Sequence, residues 1–128
     1  MRKAQQTRSL VAAWFDFLPP GELAAAQAIH KAIRAAVPEL AETIRQGNLL
    51  MSLNGEPLLA IAAARAQVHL LIFNGSDVEE ALGPLEGVAR RQRMVKFASA
   101  QPVDAQRVAA IARTSAEFAR RHQAVERD

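Results

Sequence analysis

The dipeptide Asn54-Gly55 constrains the fold of this chain more than any other feature. It separates two apolar runs, at 49–53 and 58–62, and a third apolar run follows at 68–73. A two-residue hairpin turn of type I′ needs positive φ at both central residues, and Asn and Gly adopt that conformation most readily. The sequence therefore predicts a three-stranded antiparallel meander over 49–73, with helices covering its apolar face.

Helical patterns precede the meander. Apolar residues recur at helical spacing in 6–18, 21–36 and 39–46, and prolines separate these segments. We therefore expect three helices, with Gly47 ending the third in a left-handed conformation. Trp14 is expected to anchor the first helix in the core, because large aromatic side chains bury much apolar surface.

The region after the meander continues the same mixture of helix and strand. The pattern at 78–82 predicts a short helix, the alternation at 94–98 predicts a fourth strand, and Pro102 and Asp104 open a long last helix. Pro57 lies near the start of the second strand of the meander, which predicts an edge position or a bulge there because proline has no amide donor.

The expected fold class is α+β, a single domain over 1–128. It has an antiparallel sheet of four or more strands with N-terminal and C-terminal helices packed on it. The expected segments are N-terminal helices in 6–46, the sheet in 49–99 and the C-terminal helix in 104–122. Both faces of the strand at 68–73 are apolar, so we expect loops or a second copy of the chain to cover the face without helices, and a homodimer is the predicted partner.

Composition excludes several classes of function. The chain of 128 residues has no cysteine, which removes disulfides, thiolate zinc sites and thiol nucleophiles. Sixteen basic residues against thirteen acidic ones describe a mixed surface, which does not favour nucleic acid as a partner. No apolar run approaches the ~20 residues that a membrane span requires. We expect a cytoplasmic protein that does not enter the membrane.

The segment 90–96 is the sharpest polar feature of the sequence, with four cations in Arg-Arg-Gln-Arg-Met-Val-Lys. Guanidinium groups match the oxygens of phosphates and carboxylates. One hypothesis is therefore a site for an anion or an acidic protein partner, with Arg91, Arg93 and Lys96 as ligands. The alternative is structural, since such residues also protect a strand edge and pair with neighbouring glutamates.

Enzyme chemistry has little support in the sequence. The three histidines, His30, His69 and His122, lie far apart and lack the spacing of a metal site. A pairing of Ser52 or Ser99 with His69 would provide a nucleophile and a base, but no nucleophile-elbow motif accompanies them. We therefore expect a binding protein without catalytic activity.

The order and spacing of several short motifs resemble the YdhG-like domain family, domain of unknown function 1801. The motifs that carry the resemblance lie at 44–49, 52–58, 68–73, 85–87, 93–96 and 103–104, within a matching region of about 9–118. The chain departs from the family pattern at Gln46 and Leu49, where the family commonly has tryptophan and proline, and at Ala89, where it usually has glycine.

This resemblance implies a small α+β domain in the cytoplasm with a frataxin-like fold, and an iron-chaperone role that is attached to some family members. Ferrous iron accepts carboxylate ligands, and no other cofactor is expected. The candidate ligands are Asp77, Glu79 and Glu80, followed by Glu39 and Glu42 on one face of the helix expected at 39–46. The alternative for all five is capping and dipole stabilisation in first helical turns.

Overall fold

The computed structural model describes residues 2–87 and 89–127. In these residues the chain forms four helices and five strands. In chain order they are α1 (Arg2–Asp16), α2 (Pro20–Ala36), β1 (Ala41–Arg45), β2 (Asn48–Leu53), β3 (Glu56–Ala64), β4 (Gln67–Ile72), α3 (Gly75–Leu82), β5 (Arg93–Ala98) and α4 (Ala105–Arg127).

The five strands form one antiparallel sheet in the order β1-β2-β3-β4-β5. Asn54 and Gly55 join β2 to β3 with φ values of 51° and 83°, as a type I′ turn requires. The predicted meander and the predicted α+β class with four or more strands are therefore confirmed.

The helix predicted at 39–46 is wrong, because this segment contains β1. Leu40 and Ile44 are four residues apart, which fits a helical face, but with Glu42 between them they also fit one face of a strand. Pairing with β2 satisfies the backbone of the segment, whereas a short helix would gain little by itself. Gly47 is left-handed as predicted, with a φ of 78°, but it belongs to the turn between β1 and β2.

Pro57 lies in a central strand at a β-bulge. Met51 pairs with Leu59 and Ser52 pairs with Pro57, so Leu58 is an extra residue on β3 and is buried. A bulge accommodates a residue that has no amide donor. Of the two predicted placements, the bulge is correct and the edge is not.

The core lies on one face of the sheet. Alternate strand residues, among them Leu49, Ile61 and Leu70, pack with buried residues of α2 and α4 such as Ile33 and Ile111. Trp14 and Phe15 of α1 pack against this cluster, which confirms Trp14 as an anchor. All four helices are on this side, which we call the helix side.

The N-terminus of α3 is joined to α4 by a buried polar pair. The side chain of Asn74, which precedes α3, donates from Nδ2 to the Ser115 carbonyl at 2.9 Å and accepts from Ser115 Oγ at 2.7 Å. At the start of α4, Asp104 Oδ1 accepts a hydrogen bond from the Arg107 amide at 3.1 Å, so Asp104 caps this helix. The helix continues beyond the predicted position 122 to Arg127.

None of the described helices is long and apolar enough to cross a membrane.

Candidate functional site

The face of the sheet opposite the helix side is the candidate functional surface, and we call it the open face. Strand register places side chains on it in rows, since directly paired residues lie on the same face. It is formed by Ala41, Thr43, Arg45, Asn48, Leu50, Ser52, Pro57, Ala60, Ala62, Ala64, Gln67, His69, Leu71, Phe73, Gln92, Met94, Lys96 and Ala98.

A central row of this face crosses all five strands and is mostly apolar. It runs through Thr43, Leu50, Ala60, Leu71 and Met94, each paired with the next. The middle residues Leu50 and Ala60 are buried although the helices pack on the opposite face. The open face therefore has an apolar centre against which the apolar part of a ligand could pack.

A shallow depression of about 350 Å³ lies on this centre. Its floor consists of Leu50, Pro57, Ala60, Leu71 and Phe73, and its polar rim consists of Arg45, Gln46, Asn48 and Gln92. The rim therefore includes the turn between β1 and β2 together with the chain just before β5. The lining contains one cation, Arg45, and no carboxylate.

The remaining charged groups of the open face lie near its β5 edge. Lys96 of β5 pairs with His69 of β4, beside the apolar row. The His69 ring donates from Nε2 to Gln67 Oε1 at 2.9 Å. Glu86 forms a β-bridge with Met94 at the outer edge of β5, so it is a carboxylate at the edge of this face, outside the depression. The depression itself, with Arg45 and no carboxylate in its lining, is electrostatically complementary to an anion.

The predicted anion ligands Arg91, Arg93 and Lys96 lie in three different surroundings. Arg91 is exposed, with Nη2 at 3.7 Å from Asp77 Oδ2. Arg93 lies on the helix side, where its Nε is 3.2 Å from Glu79 Oε2. Lys96 alone lies on the open face. The structure therefore does not bring the three together, and the pairing of arginines with neighbouring carboxylates matches the structural alternative.

Glu79 is held tightly in this arrangement. The Leu85 amide donates to Glu79 Oε1 at 2.9 Å, and Arg93 contacts the other oxygen. The hydrogen bond from the Leu85 amide lowers the pKa of Glu79, and the hydrogen bond and charge of Arg93 lower it further. The pKa of Glu79 therefore lies below its ordinary value, although desolvation opposes the shift. The carboxylate thus has structural partners on both oxygens.

Glu39 and Glu42 do not share a helix face, because Glu39 precedes β1 and Glu42 lies within it. Glu39 Oε2 accepts a hydrogen bond from Arg120 Nη2 at 2.5 Å, and Glu42 pairs with His30 of α2. Burial would raise the pKa of Glu42, but the hydrogen bond and charge of His30, with the charge of Arg34, keep it below its ordinary value.

The five predicted iron ligands thus lie at two separate places. Glu80 is exposed on α3, near Asp77 and Glu79 in sequence, while the other two belong to the region of β1. Within residues 2–87 and 89–127, no group of three or more His, Asp or Glu side chains is placed to hold a metal ion. Iron binding stays a prediction from the family resemblance.

Sequence reasoning missed the rim of the depression. The sequence pattern places Arg45, Gln46 and Asn48 in a helix and at its end, which does not bring them near the apolar centre of the sheet. Two signals could have indicated it: the alternation Ala-Glu-Thr-Ile-Arg at 41–45, and the dipeptide Gln46-Gly47 between two strand-like runs.

Comparison with solved structures finds this fold in a protein of the DUF1801 family, YdhG from Bacillus subtilis. The TM-score is 0.61 at 10% sequence identity, and the match covers 80% of this chain and 85% of that chain. The likeness shows a shared fold and confirms the YdhG-like architecture that the motifs predicted. The further likeness to frataxin stays an expectation. No family model matches the chain, and no curated protein matches it in sequence.

Proposed function

We propose that this protein is a binding protein without catalytic activity, and that its open face holds a small organic anion with an apolar body. The observation that carries the proposal is the composition of the depression. Its floor is apolar, and its charged lining residue is Arg45, with no carboxylate beside it. A ligand with one acidic group and one apolar part matches both halves of this surface.

The acidic group of the ligand would lie at the turn between β1 and β2. Arg45 offers a guanidinium group, which binds carboxylates and phosphates through paired hydrogen bonds. Gln46 and Asn48 add amide groups on the same rim. Within the described chain, Arg45 forms no ion pair with a carboxylate, so its charge is not already neutralised by a neighbour.

The apolar part of the ligand would cover the floor from β2 to β4. Leu50 and Ala60 form the deepest part, and Leu71 and Phe73 continue it towards Gln92. A volume of about 350 Å³ is at the small end of the range of ligand sites, ~300–1,000 Å³. The occupant is therefore a small molecule.

A second copy of the chain is a less suitable occupant of the open face. In a two-fold dimer the same surface is present on both sides of the interface. The depression at the centre of this face is lined by Arg45 and by no carboxylate, so two depressions facing each other in such a dimer would offer no complementary charge. Charge complementarity at the depression therefore favours an anionic ligand over the homodimer predicted from the sequence.

Two fluorescent probes of similar shape test the proposal. The first is 8-anilinonaphthalene-1-sulfonate, which is an apolar anion, and the second is N-phenyl-1-naphthylamine, which lacks the sulfonate. We expect the native protein to bind the anionic probe saturably and more tightly than the neutral one. Arg45→Gln should reduce this preference by about 3- to 10-fold, because it removes a charge-assisted hydrogen bond at a solvent-exposed site.

Arg65→Gln is the matched control, because Arg65 is exposed at the turn between β3 and β4 and does not line the depression. This variant loses the same charge and should bind both probes as the wild type does. Equal affinity for the two probes, or an equal loss in both variants, would contradict the proposal. Far-ultraviolet circular dichroism confirms that each variant is folded.

A further inference from the structure

Trp14 of α1 joins the first helix to the rim of the depression. Its Nε1–H donates a hydrogen bond to the carbonyl of Gly47 at 2.8 Å, across 33 positions of sequence. Gly47 lies between Gln46 and Asn48, both of which line the depression. A contact from the helix side therefore fixes the backbone that presents the polar rim on the opposite side of the sheet.

The turn at Gln46-Gly47 depends on such a contact more than the turn at Asn54-Gly55 does. In both of these hairpin turns the two central residues have positive φ. Gln46 is left-handed, with a φ of 53°, whereas the corresponding residue of the next hairpin is Asn54. Asparagine tolerates this conformation better than glutamine, because its short side chain can hydrogen-bond to the nearby backbone. The local sequence therefore specifies the rim turn less strongly.

The neighbouring aromatic residue holds the middle of β1. The ring of Phe15 lies against that of His30, with 5.1 Å between centroids, and His30 is hydrogen-bonded to Glu42 of β1. The rings of Trp14 and Phe15 are themselves in edge contact, at 5.0 Å. The two residues of α1 thus hold β1 within the strand and at the turn that follows it.

We infer that Trp14 is a positioning residue for the open-face depression, which it shapes through Gly47 without lining it. The inference rests on the proposed function. It implies that binding of an anion at the rim is coupled to the docking of α1. Trp14 is the only tryptophan of the chain, which has no tyrosine, so its emission reports on this contact directly.

The variant Trp14→Phe tests the inference, since it keeps an aromatic ring but removes the N–H donor. We expect its Kd for 8-anilinonaphthalene-1-sulfonate to rise about 3- to 10-fold, because the rim turn loses one ordinary hydrogen bond that fixes its backbone. Leu18→Ala is the control. Leu18 follows α1 and packs against the core, and its side chain has no hydrogen bond to the turn at Gln46-Gly47. It should lose stability while keeping the affinity of the wild type.

Two spectroscopic readouts separate positioning from a general loss of stability. In the wild type, saturation with sodium decanoate, which is not fluorescent, should displace the probe and shift the Trp14 emission. In nuclear magnetic resonance spectra, the amide signals at 46–48 should shift or broaden in Trp14→Phe and not in Leu18→Ala.

The outcomes distinguish this inference from the function on which it rests. Failure of the wild type to bind the anionic probe would overturn the proposed function. Normal binding by Trp14→Phe, with unchanged emission on saturation of the wild type, would overturn the inference alone. Unchanged amide signals at 46–48 in Trp14→Phe would also overturn it, whether or not the probe binds.

Discussion

The buried pair of Asn74 and Ser115 should contribute strongly to stability, and removing either side chain tests this. Asn74 is 3% exposed and Ser115 is fully buried, and the two hydrogen bonds between these residues join the start of α3 to α4. Ser115→Ala leaves the Asn74 Oδ1 acceptor buried without its donor. A buried group left unsatisfied costs about 1–3 kcal/mol, so we expect the free energy of unfolding to fall by about that amount.

Asn74→Ala should have a similar cost for a partly different reason. It removes both hydrogen bonds and opens a small cavity, while the Ser115 hydroxyl can turn to the carbonyl four residues earlier in its own helix. The double variant should therefore lose less than the sum of the two single losses, with a coupling of about 1 kcal/mol. Losses that add to within about 0.3 kcal/mol would refute the argument that these groups satisfy each other.

Urea unfolding followed by circular dichroism measures these free energies, and equal m-values show that the compactness of the states has not changed. Ser76→Ala is the matched control, because Ser76 lies in the first turn of α3 and is only partly buried. Its loss should stay below about 0.5 kcal/mol, as for most surface changes. A loss as large as that of Ser115→Ala would mean that the helix start, not the pair, determines the result.

Three further outcomes are expected. Gly75→Ala should destabilise the protein by about 1–3 kcal/mol in urea unfolding, because a Cβ at this position would lie 2.4 Å from the Cβ of Arg93 and 2.5 Å from its backbone nitrogen. An unchanged midpoint of unfolding would mean that α3 and β5 can separate at little cost. The pKa of Glu79 lies below its ordinary value, so its contacts stabilise the fold above the unfolded-state pKa of about 4.3, and this contribution is lost as the pH falls through the lower folded-state pKa. The difference in unfolding free energy between wild type and Glu79→Gln should therefore be largest above about pH 5 and shrink towards pH 3, and a difference that grows on acidification would contradict it. Anaerobic calorimetric titration with ferrous iron tests the iron site that the family resemblance implies. Saturable heat at micromolar iron that Glu79→Gln/Glu80→Gln weakens would support this site, and heat of dilution alone would contradict it.

The sheet was predictable where local chemistry and tertiary pairing agree. Asn54-Gly55 fixes a hairpin turn by itself, and the apolar runs beside it are too short for helices, so the sequence predicts the meander directly. The bulge at Pro57 was foreseen only as one of two options. Proline excludes a regular position in a ladder but does not state which irregular position the chain adopts.

The candidate site was not predictable, because it depends on one segment whose pattern fits two structures. The apolar residues at 40 and 44 satisfy both helical and strand spacing, and only pairing with β2 decides between them. The position of Arg45 on the open face therefore depends on the pairing of β1 with β2. Its proposed role in ligand binding could not be derived from the dense basic segment at 90–96, which contributes Gln92, Met94 and Lys96 to that face.

The strand order of the sheet has a consequence for how the chain folds. Each strand pairs with its neighbour in sequence, and the first three connections are two-residue turns, so β1 to β4 can pair by closing short loops one after another. The packing of α2 on α4 joins one helix that precedes all five strands in the sequence to one that follows them. This contact therefore closes a long loop. We expect the sheet to form early in folding and α4 to dock late. Changes at Asn54-Gly55 should then slow folding, whereas changes between α2 and α4 should mainly speed unfolding, and stopped-flow kinetics separate the two.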